Sequence, residues 1–572
     1  MATIERTRKD SFDFATMAPH LVWWGTIFLL CVTVFYPSVV LVANSFRTGD
    51  HFSLANFVQL FQTPRIYTSM INSFKVVIPA TLLGTALGVV LAWIVARTNL
   101  PGKRIWQMFL ATPYLIPPFV GAISWTYLLG PIGLVNKWYM ELFNRPDPLI
   151  DIYTIGGMIF VMAIYGYTIP YIVVLPAIQK IDAAVEEAGT ISGASKLRIM
   201  KDITLPLIAP AILGGMLLLF MNLLADFGIP AVLGAPKRIT LMTTQIYQLI
   251  VNFDMPNHLQ IAAANSMLLA VFGLIGLQIY QKIIKSGKYA VVSGKGPSVE
   301  PIKLGKWSVP VYLFLMVVVL VTTVAPIAAA IFTSLIKAVG VPATLENLTL
   351  RNYRIVFDID SIKRAMINSV SLSAAAGLLI TFLGLILAYM IVRVRTGTVG
   401  SRIVESLIAI PYAVPGTIVG LAMILAFASP LPVIGINLYG TYWILLIAYL
   451  SRFMNIGLQT ITGAMTQIHP SLEEACRISG ATQMQAFKHV VFPLLRPSIY
   501  AAFFLVIMPA LGEITLSSLL WSVNHETIGV VVLSLQEEGK VTLTASLAVV
   551  LMLSVFTINL VLRTITKGKL GL

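Results

Sequence analysis

Apolar residues run through this chain in blocks of about twenty or more, each bounded by short polar or charged stretches, and blocks of that length suit helices that cross the hydrocarbon core of a bilayer. They fall near 21–43, 70–96, 106–130, 153–176, 206–227 and 259–281, then near 307–336, 366–392, 403–428, 438–458, 493–521 and 541–562. The pattern predicts an all-α integral membrane protein with about twelve spanning helices. The stretch MATIERTRKD ahead of the first run has the charge of a signal-sequence flank. The run after it is longer than a signal's apolar region and no small-residue cleavage pattern follows, so the first span is expected to be permanent.

The pattern is written twice. MINSF at 70–74 answers MINSV at 366–370 and LAWIVART at 91–98 answers LAYMIVRV at 387–394, both displaced by 296 residues, while ATPYLIPPFVGA at 111–122 answers AIPYAVPGTIVG at 409–420, displaced by 298. Six spans per half, an even number, send both halves into the membrane in the same sense, as parallel repeats about an axis along the membrane normal. The expected domains are 1–281 and 307–572, joined by the polar, Gly- and Lys-containing linker 282–306. Prolines in TPYLIPP and IPYAVPG predict breaks at equivalent places near the third span of each half, which neighbouring protein or a water-filled cavity must satisfy; an ordinary kink is the simpler reading.

Composition supports the bilayer: of 572 residues 57% are hydrophobic and 11% charged, with a mean hydropathy of +0.86. The formal net charge of +15 could suggest nucleic acid. However, Lys and Arg gather in the tails, the linker and the loops at 97–104, 186–210, 393–402 and 473–497, which all fall on one side if both termini are cytoplasmic. That is the positive-inside pattern, and it excludes nucleic acid as the expected partner. Cys31 and Cys476, in a span and a loop, imply neither a disulfide framework nor a metal site.

Two charged stretches interrupt the oil: EEAGTISGASKLRIMKDITLPLIAP at 186–210 and EEACRISGATQMQAFKHVVFPLLRP at 473–497, 287 residues apart. Asp182 can cap a helix in the first copy, and Ser471 with Glu474 fits a capping box in the second. Gly193 and Gly480 interrupt the helical run, and Ser195 and Thr482 are placed to cap a second helix ending near Pro206 and Pro493. Each copy then forms an elbow offering Glu186, Glu187, Ala188 and Gly193, or Glu473, Glu474, Ala475 and Gly480, as a knob for a partner.

The order Glu-Ala-small, three residues, Gly, nine residues, Ile-x-Leu-Pro resembles the EAA loop of the inner-membrane permeases of binding-protein-dependent ABC importers. It reads Glu187-Ala188-Gly189, Gly193, Ile203 and Leu205-Pro206 here, and Glu474-Ala475-Cys476, Gly480, Val490 and Phe492-Pro493 in the second copy. Both copies depart at the third alanine, and the second softens its end. The resemblance implies a type I importer permease fold, with the loops (186–206 and 473–493) as coupling helices for two copies of an ABC ATPase and a periplasmic solute-binding protein on the outer face. ATP and Mg would belong to the partner subunits. The chain itself has no GxxxxGK[ST] loop, GKYAVVSGKG at 287–296 having the wrong spacing, and no HExxH or GxSxG pattern, so no catalytic residue is expected. The location implied is the bacterial inner membrane.

Ionisable residues within spans are candidates for a solute pathway. Asp226 and Glu513 keep the 287-residue displacement and are expected near the outer ends of their spans, facing each other, either in contact with a cation or at an outer gate, or else as helix caps. Asn222, Asn265 and Arg452 are further polar candidates, with interhelical packing the commoner role. No His or Tyr cluster has transition-metal spacing. ADFG after the first loop and GE after the second make the chain most similar to fused ferric-iron permeases; thiamine, polyamine, phosphonate and sugar-phosphate permeases are the alternatives. An ion-coupled secondary transporter with two six-span repeats is the rival from another class, and vanadate-sensitive, ATP-dependent uptake distinguishes the two.

Overall fold

The computed structural model describes residues 23–252, 255–285, 301–341, 344–394, 398–430, 435 and 437–566. The N-terminal tail and most of the linker, assigned above from sequence, lie outside the described residues. Among the described residues, eleven helical segments are long and apolar enough to cross a membrane: Trp23–Phe46, Pro64–Arg97, Pro118–Phe143 (interrupted by a turn at 130–133), Ile155–Gln179, Met200–Leu224, His258–Ile283, Gly305–Leu335, Asp360–Arg393, Tyr442–Met465, Gln483–Leu511 and Val541–Ile565. A further crossing is broken, its halves Arg402–Pro411 and Gly416–Phe427 meeting at 102°. Parity favours counting this pair as the ninth span. Arg563, at the end of the last helix, donates to Met108 Sδ at 3.2 Å just ahead of the third, so an even number of crossings separates them.

Two sets of expected boundaries move. The third span starts at Pro118 rather than near 106, because Pro113, Pro117 and Pro118 break the apolar run into a helix Lys103–Ala111, a 3-10 turn Thr112–Leu115 and then the crossing helix. The fifth and eleventh spans start earlier than expected, since the second helix of each elbow does not stop at Pro206 or Pro493 but runs through it. A π turn precedes each proline, Met200–Thr204 and Phe487–Val491, with Leu205 N–H bonded to Met200 O and Phe492 N–H to Phe487 O. The wider turn absorbs the proline that would otherwise end the helix.

The two halves are interlocked through their first spans. Trp23–Phe46 lies against the sixth span of its own half and the ninth of the other; Tyr36 Oη donates to Ala426 O at 3.4 Å and its ring stands edge-on to Phe427 with centroids 6.0 Å apart. Reciprocally, Ala325–Leu335 of the seventh span packs on the third span, where Tyr127 Oη donates to Val541 O at 3.3 Å. Leu30 and Val34 therefore share a core with the second half, and Ala329 and Ala330 share one with the first.

Both proline breaks are present and both are satisfied by side chains. The Arg452 guanidinium donates to Pro411 O at 2.6 Å and also to Val414 O, carbonyls at the ninth-span bend, while Tyr167 Oη donates to Leu110 O at 2.8 Å beside the first-half break. Arg452 is thus a packing residue, as the commoner role of such groups suggested. Arg452→Met should leave two buried carbonyls unsatisfied and cost about 3 kcal/mol. The check is a lowered thermal unfolding midpoint in detergent; an unchanged midpoint would mean that the arginine does not hold the bend.

Candidate functional site

Each elbow is built from the same local rules. In the first, Ala184 N–H donates to Asp182 Oδ1 at 3.0 Å, capping the helix Ala183–Ile191, which ends with Gly193 at φ +81° and Ala194 N–H on Gly189 O at 3.1 Å. In the second, the helix Ser471–Ile478 ends at Gly480, φ +89°, with Ala481 N–H on Cys476 O at 3.1 Å. These are left-handed C-caps, where glycine carries no Cβ penalty. The second helix follows at once. Ser195 Oγ accepts from Arg198 N–H at 3.4 Å, and Thr482 forms a reciprocal capping box with Gln485. The box expected at Ser471 and Glu474 is not there: Ser471 is the first helical residue and its hydroxyl bonds to His469 Nδ1 at 2.7 Å.

The structure divides the acidic residues of the knob. Glu187, Ala188, Gly193, Glu474, Ala475 and Gly480 are exposed. Glu186 and Glu473, expected with them as part of the knob, turn inward. Glu186 Oε1 accepts from Arg97 Nη2 at 2.5 Å and from Thr204 Oγ1 at 2.8 Å; Glu473 Oε1 accepts from Arg393 Nε at 2.5 Å, with Tyr389 Oη at 3.4 Å from its other oxygen. The side chains are only 7% and 18% exposed in the first pair and 9% and 12% in the second, so these are intramolecular anchors. A helix turns about 100° per residue, and adjacent glutamates cannot share one face.

What sequence reasoning missed is at the tip. Ile191 and Ile478, again 287 residues apart, are each 87% exposed, and Met484 is 72% exposed. A large aliphatic side chain is thus held in the open at the same place in both copies of the repeat. The signal was there: an isoleucine stands two residues before the interrupting glycine in both copies.

At the opposite ends of the fifth and eleventh spans the structure places Asp226 and Glu513, each just past its helix. Asp226 Oδ1 accepts from Gly228 N–H at 2.9 Å, and Glu513 accepts from the N–H groups of Leu516 (2.9 Å) and Ser517 (3.0 Å) and from Ser517 Oγ (3.2 Å). The carboxylates cap the short helices Gly228–Gly234 and Ser517–Leu520 of their own halves and do not bond to each other. Asn222 is exposed on the fifth span, and Asn265 is fully buried with neither amide atom hydrogen-bonded. Among the described residues, no three His, Cys, Asp or Glu side chains gather as a ligand set.

The MINSF and MINSV motifs acquire a role here. Asn72 Nδ2 donates to Thr240 O at 3.3 Å and Ser73 Oγ accepts from Met242 N–H at 2.8 Å. In the second half Asn368 Nδ2 donates to Glu526 O at 3.0 Å and Ser369 Oγ accepts from Ile528 N–H at 2.8 Å. A side chain from the second span of each half thus caps a helix at the end remote from the elbow, here the outer helix, Met242–Val251 or Ile528–Glu537. These helices approach across the halves, with Tyr247, Gln248 and Arg238 enclosing a cavity of about 70 Å³ with Leu533 and Glu537.

With capping as their observed work, Asp226→Asn and Glu513→Gln should fold and retain more than half of wild-type transport. Loss of transport in a normally assembled double variant would put the carboxylates on the solute's path instead.

The family model for the inner membrane component of binding-protein-dependent transport systems matches residues 84–286 and again 380–567, its two copies beginning 296 residues apart. The chain is 28% identical over 511 residues to a ferric transport system permease protein, FbpB, of Actinobacillus pleuropneumoniae, covering 88% of this chain and 71% of that one. It is 26% identical over 534 residues to a putative ferric transport system permease of Haemophilus influenzae, covering 92% and 80%. A putative 2-aminoethylphosphonate transport system permease, PhnU, of Salmonella typhimurium is 26% identical over 271 residues, 46% of this chain and 94% of that one. Among solved structures, a bacterial alginate ABC transporter in complex with an alginate-bound periplasmic protein aligns at 22% identity and a TM-score of 0.40, over 51% of this chain and all of that one.

Proposed function

This chain belongs to the inner-membrane components of binding-protein-dependent transport systems, and from that premise we propose that it is a fused permease importing ferric iron, driven by two copies of a separate ATPase. One observation carries the reading: two elbows, 287 residues apart, present matched exposed isoleucine and glutamate side chains beside left-handed glycines. An apolar tip flanked by a carboxylate suits a groove that is apolar at its floor and basic at its rim.

The elbows are cytoplasmic, as are both termini, and each receives one ATPase. ATP binding draws the ATPases together and moves the elbows, and the halves rock as rigid bodies between inward-open and outward-open states. A periplasmic binding protein delivers the solute to the face that carries the outer helices. The ion is cargo that passes through, and this chain performs no covalent step. The names of the relatives that match both halves support ferric iron as the solute. The phosphonate relative corresponds in length to one half only. The deciding measurement is ATP-dependent, vanadate-sensitive accumulation of ferric iron by liposomes containing the permease, ATPase and binding protein. Accumulation of 2-aminoethylphosphonate instead would replace the solute, and uptake driven by an ion gradient without ATPase would replace the mechanism.

Two further outcomes are expected. Ile191→Asp together with Ile478→Asp, or Gly193→Glu with Gly480→Glu, should abolish co-purification of the ATPase while leaving the permease folded; undiminished co-purification would rule out docking at the elbows. Single cysteines at Thr190 and Arg477 should react with a membrane-impermeant thiol reagent only from the cytoplasmic side, and labelling from the periplasm would invert the orientation.

A further inference from the structure

We propose that the second span of each half, Pro64–Arg97 and Asp360–Arg393, is the element that carries motion of the elbow to the outer helices. The inference rests on the importer reading given above. Each span is fastened at both ends, and the fastenings repeat.

At the elbow end the last residue of the span is a buried arginine, Arg97 or Arg393, and it holds the inward glutamate of the elbow, Glu186 or Glu473. The arginines lie 296 residues apart and the glutamates 287, so two displacements carried by different parts of the chain converge on the same ion pair. The surroundings differ. Glu186 also binds Thr204 at the foot of the fifth span, whereas Arg393 also donates to Ile468 O at 2.6 Å beyond the tenth. The linker adds a strap in the first half, with Ile302 N–H on Arg97 O at 2.8 Å and Asn99 N–H on Ile302 O at 3.0 Å.

At the outer end the same span supplies Asn72 and Ser73, or Asn368 and Ser369, as the cap of the helix Met242–Val251 or Ile528–Glu537. Ser73 and Arg97 are 24 residues apart along one helix, about 36 Å at 1.5 Å per residue. That length spans the hydrocarbon core. An elbow displaced by its ATPase must carry the arginine with it or break a charged pair in a largely shielded site. The far end of the same helix must then move the outer helix or break its cap. The alternative path is the fifth span, which continues from the elbow by covalent connection and bypasses both fastenings.

The test uses the complete transporter in liposomes, reading iron transported per ATP hydrolysed. Arg97→Gln with Arg393→Gln loosens the elbow end; Asn72→Ala, Ser73→Ala, Asn368→Ala and Ser369→Ala together loosen the outer end. Each set should keep the ATPase bound and lower the ratio about tenfold. Combining the sets should lower it no further, because residues acting through one path are non-additive. Reversing the pair, Arg97→Glu with Glu186→Arg and Arg393→Glu with Glu473→Arg, should recover at least half of the ratio. A wild-type ratio in either set would assign transmission to the fifth span, multiplicative losses would make the two ends independent, and a lost ATPase would reduce the ion pair to shaping the docking surface; each overturns the proposal. Where the arginine variants do not assemble, Glu186→Gln with Glu473→Gln replaces them with the same expected and overturning results. A wild-type assembly that does not couple ATP to uptake would instead fail the importer reading.

Discussion

A bilayer core offers no hydrogen-bond partners, so wherever a helix stops or bends inside it the chain must supply donors and acceptors of its own. Most of the polar side chains that matter in this protein meet that demand. Arg452 and Tyr167 satisfy the carbonyls at the proline breaks, Asp226 and Glu513 cap the helices that restart at the span ends remote from the elbows, and Asn72, Ser73, Asn368 and Ser369 cap Met242–Val251 and Ile528–Glu537 from a neighbouring span. The π turns ahead of Pro206 and Pro493 do the same work within the backbone.

The same demand explains why the repeat persists as hydrogen bonds. Asn56 donates to Ser45 O and Arg47 O, and Asn352, 296 residues later, donates to Ser334 O and Ile336 O, closing the turn after the first span of each half. Both asparagines lie in short matching stretches, LANFVQLF at 54–61 and LRNYRIVF at 350–357. Where the halves differ, as in the Tyr167 and Arg452 solutions to the break, the requirement is kept and the residue is not. Each first span is buried against the opposite half, so the two repeats fold as one interlocked body with a shared core.

The elbows follow a second constraint. Under the proposed docking of an ATPase, the surface it meets must be exposed and yet tied stiffly to the helices behind it. One helix meets both needs by facing two ways, with Ile191 and Glu187 outward and Glu186 inward on Arg97. An exposed ion pair would be screened and worth less than about 1 kcal/mol. Largely shielded as these are, removing one partner costs more than that, because the remaining charge is poorly solvated. The linker strap at Arg97 adds stiffness on the first side that the fused chain alone provides.

The sequence by itself determined the number of spans, the doubling, the two elbows, the glycines that interrupt them, the cap at Asp182 and the positions of the breaks. These follow from local physics: the length of apolar runs, the conformational freedom of glycine and the missing N–H of proline are properties of a residue and its near neighbours. Only the tertiary structure decided that Glu186 and Glu473 face inward while Glu187 and Glu474 face out, that Ser471 is not the cap, that the fifth and eleventh helices run through their prolines, and that Asn72 and Ser73 cap a helix some 169 residues further along the chain. Each of these depends on what stands across from the residue in space. An arginine 89 positions away in the chain is invisible to any window of sequence, yet it is the group that a buried glutamate requires.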